Sequence, residues 1–509
     1  MKLKCTNATL IAGLDRAEIQ NDIMTKQEHI NKLSQSYLSK DYPRMASFFS
    51  EELPDYLLPY KNSFSPNFFK IRKQLTSFIK DVILPAGNTY VEQRAELRRQ
   101  TVAKGLHALK TPQPPILDEL RAEARKRGLW NFFIERGGLT NLEYAPIAEM
   151  LGAFPLSNIA MNCSAPDTGN MEVLEKYGTP EQKDKWLTPL LNAEIRSCFI
   201  MTEPGVASSD ATNISTRIDE HPNGKDYIIN GHKWWISGSI RPECKVGILL
   251  GKTTFEGPRH SQQSMIIVPM DTPGINILHP MQVFGEDGDH AEIIFDNVIV
   301  PKENMILGPG RGFEIAQGRL GPGRIHHCMR TIGTAERALS AMIYRAKHRV
   351  AFDERLDRKD TIRGAIAEAR IDISKCRQLC YLAACMCDEK GFKAARQYIS
   401  MIKVAAPRMA LAIVDEAMQV HGGHGVSQYS KLSGMYRQLR TIRLADGPDI
   451  VHLNTVAKME LAKGAQHDEW GKSISGINKN IEKYGKFRHV DHLTAAGIAR
   501  GVKKPQSAM

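Results

Sequence analysis

The stretch Asp226-Tyr-Ile-Ile-Asn-Gly-His-Lys-Trp-Trp-Ile-Ser-Gly238 sets apolar runs on either side of Asn230-Gly231. Asn-Gly accepts positive φ at both central positions of a tight turn, so the stretch predicts a β-hairpin. Around it, from about 195 to 305, apolar residues recur with a period of two, and further strands are expected at Val246–Gly251, Ser264–Pro269 and Ala291–Val298. This is a compact β domain of about a hundred residues.

The flanks read differently. Phe69, Ile71, Leu75, Phe78, Ile79, Val82 and Ile83 recur at spacings of three and four, a helical period. A second amphipathic stretch follows Pro112, Pro114 and Pro115 and ends near Gly128, and a third runs from Leu142 to Leu151, where Gly152 is expected to stop it. Beyond the β domain, helices are expected near 331–350, 361–389, 393–421 and 449–463, with breaks at 353–360, Gly391, 421–425 and 445–448. Four long helices with short connections predict a bundle. The domains expected are an N-terminal extension over 1–67, a helical domain over 68–194, the β domain over 195–305, the bundle over 306–465 and an appendage over 466–509. The fold class is α+β, mainly α. A doubly wound sheet is excluded, because that needs strands alternating with helices.

Composition narrows the function. The chain has 509 residues, with 42% hydrophobic and 24% charged, a globular balance. Its net charge of +12 suits phosphate-bearing ligands. The charge is spread along the chain, and no basic stripe interleaved with aromatics stands in the tail, which disfavours nucleic acid. No apolar run reaches the ~18 residues of a membrane span. Nine cysteines, four of them at Cys376, Cys380, Cys385 and Cys387, match neither a zinc pattern nor a secreted disulfide framework. They read as reduced thiols inside a cell. The mixed charges of residues 1–22 predict neither a secretory signal nor a clean transit peptide.

Five motifs carry possible chemistry. Phe199-Ile-Met-Thr-Glu-Pro-Gly-Val-Ala-Ser-Ser-Asp210 ends a strand in a turn of small residues, suited either to a plain surface turn or to close backbone approach to a ligand. Trp234-Trp235 on a strand should point to opposite faces, one ring into the core and one towards a cleft where a flat heteroaromatic ring could stack. Gln419-Val-His-Gly-Gly-His-Gly425 ends a helix in bare backbone, and the lack of acidic or further His partners argues against a metal. In Arg443-Leu-Ala-Asp-Gly-Pro-Asp449, Asp446 or Asp449 is either a helix N-cap or a positioned general base. Gly308-Pro-Gly-Arg-Gly312 lacks phosphate-loop spacing and reads as a loop leading into a helix.

Taken in order, Met201-Thr202-Glu203-Pro204-Gly205, Asn230 to Ser237, Ile294-Phe-Asp-Asn-Val-Ile-Val-Pro301, Gln419 to Gly425 and Asp446-Gly447 resemble the landmarks of the acyl-CoA dehydrogenase family over about 70–465. The wording is most similar to the subfamily of members ten and eleven, with no room before residue 70 for the kinase-like domain those members carry. The resemblance implies a helical N-terminal domain, a β barrel-like middle domain, a C-terminal four-helix bundle, a homotetramer or dimer, and FAD held across a subunit interface.

Carried over residue by residue, Met201 and Thr202 meet the flavin, Ser209 lies near the pyrophosphate and thioester, and Trp235 and Ser237 flank the ring. Arg349 and Phe352 match the Arg-x-x-Phe that reaches a neighbour's FAD, and Gln419, Gly422 and Gly423 match the second flavin segment. Asp446 takes the place of the base, which is Glu in most of the family and Asp in this subfamily. Some relatives place a Glu on the first bundle helix instead, where this chain reads Gly321-Pro-Gly-Arg-Ile325. Arg324 and Gly447, with Ser209, are the implied substrate contacts. Asp353 and Asp360 stand where the family usually has Gly and Gln. The implied reaction is α,β-dehydrogenation of an acyl-CoA to a trans-2-enoyl-CoA, as in fatty acid β-oxidation, with electrons leaving to an electron-transferring flavoprotein. Two alternatives are a flavin oxidase resembling nitroalkane oxidases, which also use Asp, and a non-catalytic DNA-binding flavoprotein. By resemblance the compartment is mitochondrial or peroxisomal, with the cytoplasm still open.

Overall fold

A computed structural model describes residues 46–463 except Glu51 and 135–137. Most of the expected N-terminal extension and all of the appendage over 466–509 lie outside the described residues. The chain divides into two compact units, Met1–His452 and Leu453–Met509, and the described part of the second is the end of one helix.

The first unit opens with helices. α1 (Pro66–Phe78) starts where Ser65 caps it, the Oγ accepting from the Phe68 N–H at 3.2 Å, with Pro66 in the first turn. Phe68, Ile71, Leu75 and Phe78 form its buried stripe. α2 (Leu84–Ala103), α3 (Ile116–Lys126), α4 (Asn141–Ala153) and α5 (Asp167–Tyr177) follow. Phe48, Leu57 and Phe64 are buried in the same core, so residues before 68 already pack against this domain.

α4 ends at Ala153, one residue past the stop expected at Gly152, and Gly152 also serves a packing role. A Cβ there would lie 1.9 Å from the Arg330 carbonyl oxygen, and one on Gly333 would lie 1.8 Å from the Glu149 carbonyl oxygen. Both glycines let two helices cross with their backbones in contact. An expectation fails in the sheet: Asn230-Gly231 is not a hairpin turn but lies inside one strand, Asp226–Ser237. Gly231 is required there because a Cβ would collide with the Thr216 side chain at 2.3 Å. The Asn230 Oδ1 accepts from the Asn297 N–H at 2.8 Å across a bulge in the pairing. The reversal comes earlier, at Asn223-Gly224, where Gly224 has φ 71.

The sheet comprises β1 (Arg196–Ile200), β2 (Arg217–Glu220), β3 (Asp226–Ser237), β4 (Cys244–Lys252), β5 (Gln263–Pro269), β6 (Ile275–Val283), β7 (Glu286–Pro301) and β8 (Met305–Ile306). Its order is β6-β7-β3-β2-β4-β5-β8, with β1 parallel to β4. Ile218, Ile229, Leu249, Ile266, Ile293 and Phe295 build its own core.

The bundle begins where the Gly308–Gly312 loop was expected to lead into a helix, but its first helix is longer than the stretch expected near 331–350. α6 runs from Gly312 to His348, through Gly318, Gly321, Pro322 and Gly323. Close packing, with Gly318 against Tyr177 of α5 and Gly321 near Phe392, accompanies the poor helix propensity of that stretch. A two-stranded hairpin, β9 (Val350–Ala351) and β10 (Glu354–Arg355), leads to α7 (Asp360–Ala394), kinked at Gly391 with φ 76. α8 (Arg396–His421), α9 (Leu432–Ile442) and α10 (Asp449–Ala462) complete the chain order. Buried Arg377 on α7 donates to Glu149 on α4 at 2.6 Å and to Glu336 on α6 at 2.5 Å, tying the bundle to the first helical domain.

Candidate active site

The loop between α9 and α10 holds two consecutive residues in the left-handed region, Asp446 with φ 56 and Gly447 with φ 100. Aspartate tolerates that region better than most side chains, yet the conformation persists only where surroundings enforce it. Here they do. Arg324 Nε on α6 donates to the Asp446 carbonyl at 2.9 Å, and His452 Nε2 lies 3.2 Å from the same oxygen. The buried Lys403 Nζ on α8 donates to the Ile442 carbonyl at 2.7 Å and the Gly447 carbonyl at 3.3 Å. Asp449, the other sequence candidate for a base, is bound on one oxygen by Arg408 at 2.8 Å and Arg443 at 2.8 Å, so it anchors the loop.

The Asp446 carboxylate is left for chemistry. Its side chain is 18% exposed and Oδ2 lies 3.6 Å from His327 Nε2. Burial pushes its pKa up, but His327, Arg319, Lys403 and Arg324 more than offset this and hold it below the ordinary aspartate value. Asp446 is therefore an ionised, partly desolvated carboxylate near neutral pH. Two neighbours were not legible as site residues in the sequence. Arg319 lies over the Phe199 ring at 3.8 Å and feels both Asp446 and Glu172. Burial pushes the Glu172 carboxyl up to about 8 against the pull of Arg319 and Arg330.

The second group of residues sits on the sheet. The Thr202 hydroxyl donates to the Trp234 carbonyl and its own carbonyl accepts from the Trp234 N–H at 3.0 Å, so the ends of the Met201-Thr202 segment and β3 are stitched together. Beneath them Lys233, fully buried, donates to the Met201 carbonyl at 2.8 Å, the Leu250 carbonyl at 2.7 Å and Glu203 at 2.8 Å. All three ammonium protons are satisfied. Glu203 also accepts from the backbone of Ser215 at 2.8 Å and Thr216 at 3.0 Å. Lys233 and Glu203 thus fix the segment that carries Met201 and Thr202. On the outer side Trp235 has φ 55 and is 37% exposed, its ring 5.5 Å from His290. Trp234 is only partly buried, so neither indole fills the core, contrary to the alternation expected. The bulge between Lys233 and Ile236 breaks that alternation. Ser237 Oγ pairs with His290 Nδ1 at 2.8 Å. Ser209 is exposed in the turn that follows Thr202.

The third group lies at the other end of α6. Arg349 is exposed, and Phe352, with φ 55, is 95% exposed on the β9–β10 hairpin. Asp353 follows with φ 60, the conformation a glycine would take without cost. Gln419, exposed near the end of α8, leads to Gly422 with φ 64 and Gly423, where a Cβ would meet open space. Arg345 donates to the His421 carbonyl at 3.4 Å, joining the ends of α6 and α8. At ~1.5 Å per residue, Arg349 lies roughly 35–40 Å along α6 from Arg324. The structure therefore brings Asp446, Gly447 and Arg324 together, and Met201, Thr202, Trp235 and Ser237 together, but sets Arg349, Phe352, Gln419, Gly422 and Gly423 apart from Asp446.

The class of fold is a mixed β domain set between two helical domains, and comparison with known proteins gives the family. Models of the acyl-CoA dehydrogenase N-terminal domain, middle domain and C-terminal domain match residues 110–194, 198–298 and 310–461. The chain belongs to the acyl-CoA dehydrogenase family. It is 48% identical over 417 residues to acyl-CoA dehydrogenase family member 10 of Mus musculus, covering 80% of this chain and 38% of that protein. It is 50% identical over 395 residues to family member 11 of Homo sapiens, covering 76% and 50%. With FadE2 of Mycobacterium tuberculosis, assigned as an acyl-CoA dehydrogenase, it shares 51% over 354 residues, 69% of this chain and 86% of that one. The chain thus spans half or less of the two mammalian relatives. Among solved structures, one from Mycobacterium abscessus assigned to the acyl-CoA dehydrogenases superposes with a TM-score of 0.73 at 44% identity, covering 78% of this chain and 99% of that one. Butyryl-CoA dehydrogenase of Megasphaera elsdenii, at 24% identity and a TM-score of 0.62 over 78% and 99%, shares the fold.

Proposed function

We propose that the protein is an FAD-dependent acyl-CoA dehydrogenase that removes the α-proton of an acyl-CoA with Asp446 and yields a trans-2-enoyl-CoA. The observation that carries the reading is the Asp446 carboxylate, held in a left-handed loop, with Arg324, Arg319, Lys403 and His327 around it. The cofactor fits the residues present: Trp235 offers an exposed indole, Thr202 and Ser237 offer hydroxyls beside it, and Gly422-Gly423 offer bare backbone in open space. When bound, FAD supplies the two-electron acceptor for the β-hydride.

The chain's own residues do the rest. Arg324 and Lys403 clamp the loop so that the carboxylate meets the α-carbon in one orientation. The surrounding cations keep Asp446 ionised before substrate arrives. Substrate displaces water from the partly exposed carboxylate, which raises its basicity at the moment of proton transfer. The proton ends on Asp446 and leaves to solvent once product departs. The distance along α6 supports an oligomer in which Arg349, Phe352 and Gln419–Gly423 serve a neighbour's cofactor. Electron-transferring flavoprotein as the oxidant, and a mitochondrial or peroxisomal site of action, belong to the same reading.

The test is direct. Purified protein is expected to be yellow, and anaerobic addition of saturated acyl-CoA thioesters of graded length is expected to bleach it with at least one of them. Bound flavin that no thioester bleaches would reject the reaction.

A further inference from the structure

One stripe of α6 faces the base: Arg324, His327 and Arg330 stand three residues apart along the helix. Arg324 holds the Asp446 carbonyl at 2.9 Å. His327 presents Nε2 to Asp446 Oδ2 at 3.6 Å, and its other nitrogen, Nδ1, faces Arg330 Nη2 at 3.4 Å. A guanidinium only donates, so Nδ1 must be the acceptor and the neutral ring carries its proton on Nε2. That proton points at the carboxylate. The gap of 3.6 Å is about half an ångström beyond a hydrogen bond, the slack expected at a site without substrate.

We propose that His327 is the positioning residue of the base: with its tautomer set by Arg330, it donates Nε2–H to Asp446 and holds the carboxylate ionised and aimed until substrate binds. The inference rests on the reading of Asp446 as base. It excludes a proton relay through this ring. Nε2 already bears a proton, and Nδ1 is turned to a cation, so Asp446 cannot pass its acquired proton to His327. The charges facing the pair come from three elements: Arg319, Arg324 and Arg330 on α6, Lys403 on α8 and His452 beyond the base loop. The neighbouring His326 turns away and packs edge-on against the Tyr144 ring at 4.8 Å. Burial, with Arg330, Lys403 and Arg319 added, draws His327 down to about 4 against the pull of Asp446, so the ring stays neutral across the working range of pH.

Two measurements on the full-length holoprotein test this without turnover. Nitrogen-15 NMR of histidine-labelled protein, with the His327 signals identified by their loss in His327→Gln, should report a bare Nδ1 and a protonated Nε2 from pH 6 to 8. The Nδ1–H tautomer, or a doubly protonated ring, would overturn the proposal. Infrared titration of the carboxylic acid band lost in Asp446→Asn should give a midpoint that rises by about one pH unit, a tenfold change, in His327→Leu. In His327→Gln, whose amide N–H can replace Nε2–H, the midpoint should return to the wild-type value. An unchanged midpoint in His327→Leu, or one that His327→Gln fails to restore, would overturn it. A protein that passes both tests yet reduces its flavin with no acyl-CoA would reject the proposed reaction and leave the pairing intact.

Discussion

Lys233 is the residue that ties the Met201-Thr202 segment to the sheet. Its ammonium is fully buried and donates to three acceptors, one of them the Met201 carbonyl. Burial draws it down to about 8, which still leaves it charged at neutral pH. Its partner Glu203 is pushed up by burial but held down at about 2 by Lys233 and by donors from Ser215 and Thr216. Removing one member of such a pair strands the other, so Lys233→Met is expected to lose ~3–5 kcal/mol in urea unfolding, with FAD content falling in parallel. Glu203 also sets a pH dependence. A carboxyl depressed in the folded state adds stability above its unfolded value of ~4.3, and that stability is lost as the pH falls towards 2. Urea midpoints measured from pH 6 down to 3 should decline, and Glu203→Gln, less stable at pH 6, should flatten the decline. In the sequence Glu203 and Lys233 appear only as letters within two motifs. Their partnership joins residues thirty apart, which no local spacing reveals.

At the level of elements, the helix crossing between α4 and α6 decides where the base-facing stripe lies. Gly152 sits against the Arg330 carbonyl and Gly333 against the Glu149 carbonyl, so the crossing point adjoins Arg330 itself. Gly333→Ala is expected to force the helices apart and to cost ~1–3 kcal/mol or more, read as a lower Tm, and to weaken activity at temperatures where the protein remains folded. The periodicity of α4 and its end beside Gly152 were legible, but the close crossing that Gly152 permits was not, because it needs the second helix in place. Turn chemistry misleads at Asn230-Gly231, where the glycine serves a close strand contact with Thr216. The start of α6 was legible at the Gly308–Gly312 loop, but its apolar period was clear only near 331–350, because its first turns carry Gly318, Gly321, Pro322 and Gly323. The three-domain order and the α8–α10 segment with Asp446 were readable because long apolar periods and ordered landmarks survive without tertiary knowledge.

At the level of the whole molecule, the proposed site residues fall into groups: Asp446, Arg324 and His327 at the loop after α9, Met201, Thr202, Trp235 and Ser237 on the sheet, and Arg349, Phe352, Gln419, Gly422 and Gly423 at the opposite end of α6 from Arg324. The proposed oligomer would join the last group to a neighbour's site. A phenylalanine 95% exposed on a tight hairpin is costly in an isolated chain. Phe352→Asp is therefore expected to lower the oligomer's mass in sedimentation and to reduce FAD content, while the isolated chain keeps its helical content by circular dichroism. An unchanged mass with full FAD would remove the shared-site arrangement. Among the described residues no helix is long and apolar enough to cross a membrane.

The most direct test is the rate of anaerobic flavin bleaching by a productive acyl-CoA, compared between wild type and Asp446→Asn at equal FAD content. Asparagine keeps the shape and removes the base, and loss of one general base costs ~10²–10⁴ in rate. A fall of that size with FAD and acyl-CoA binding retained is the predicted result. Bleaching at the wild-type rate by Asp446→Asn would mean that another group takes the α-proton, and the reading of this site would be wrong.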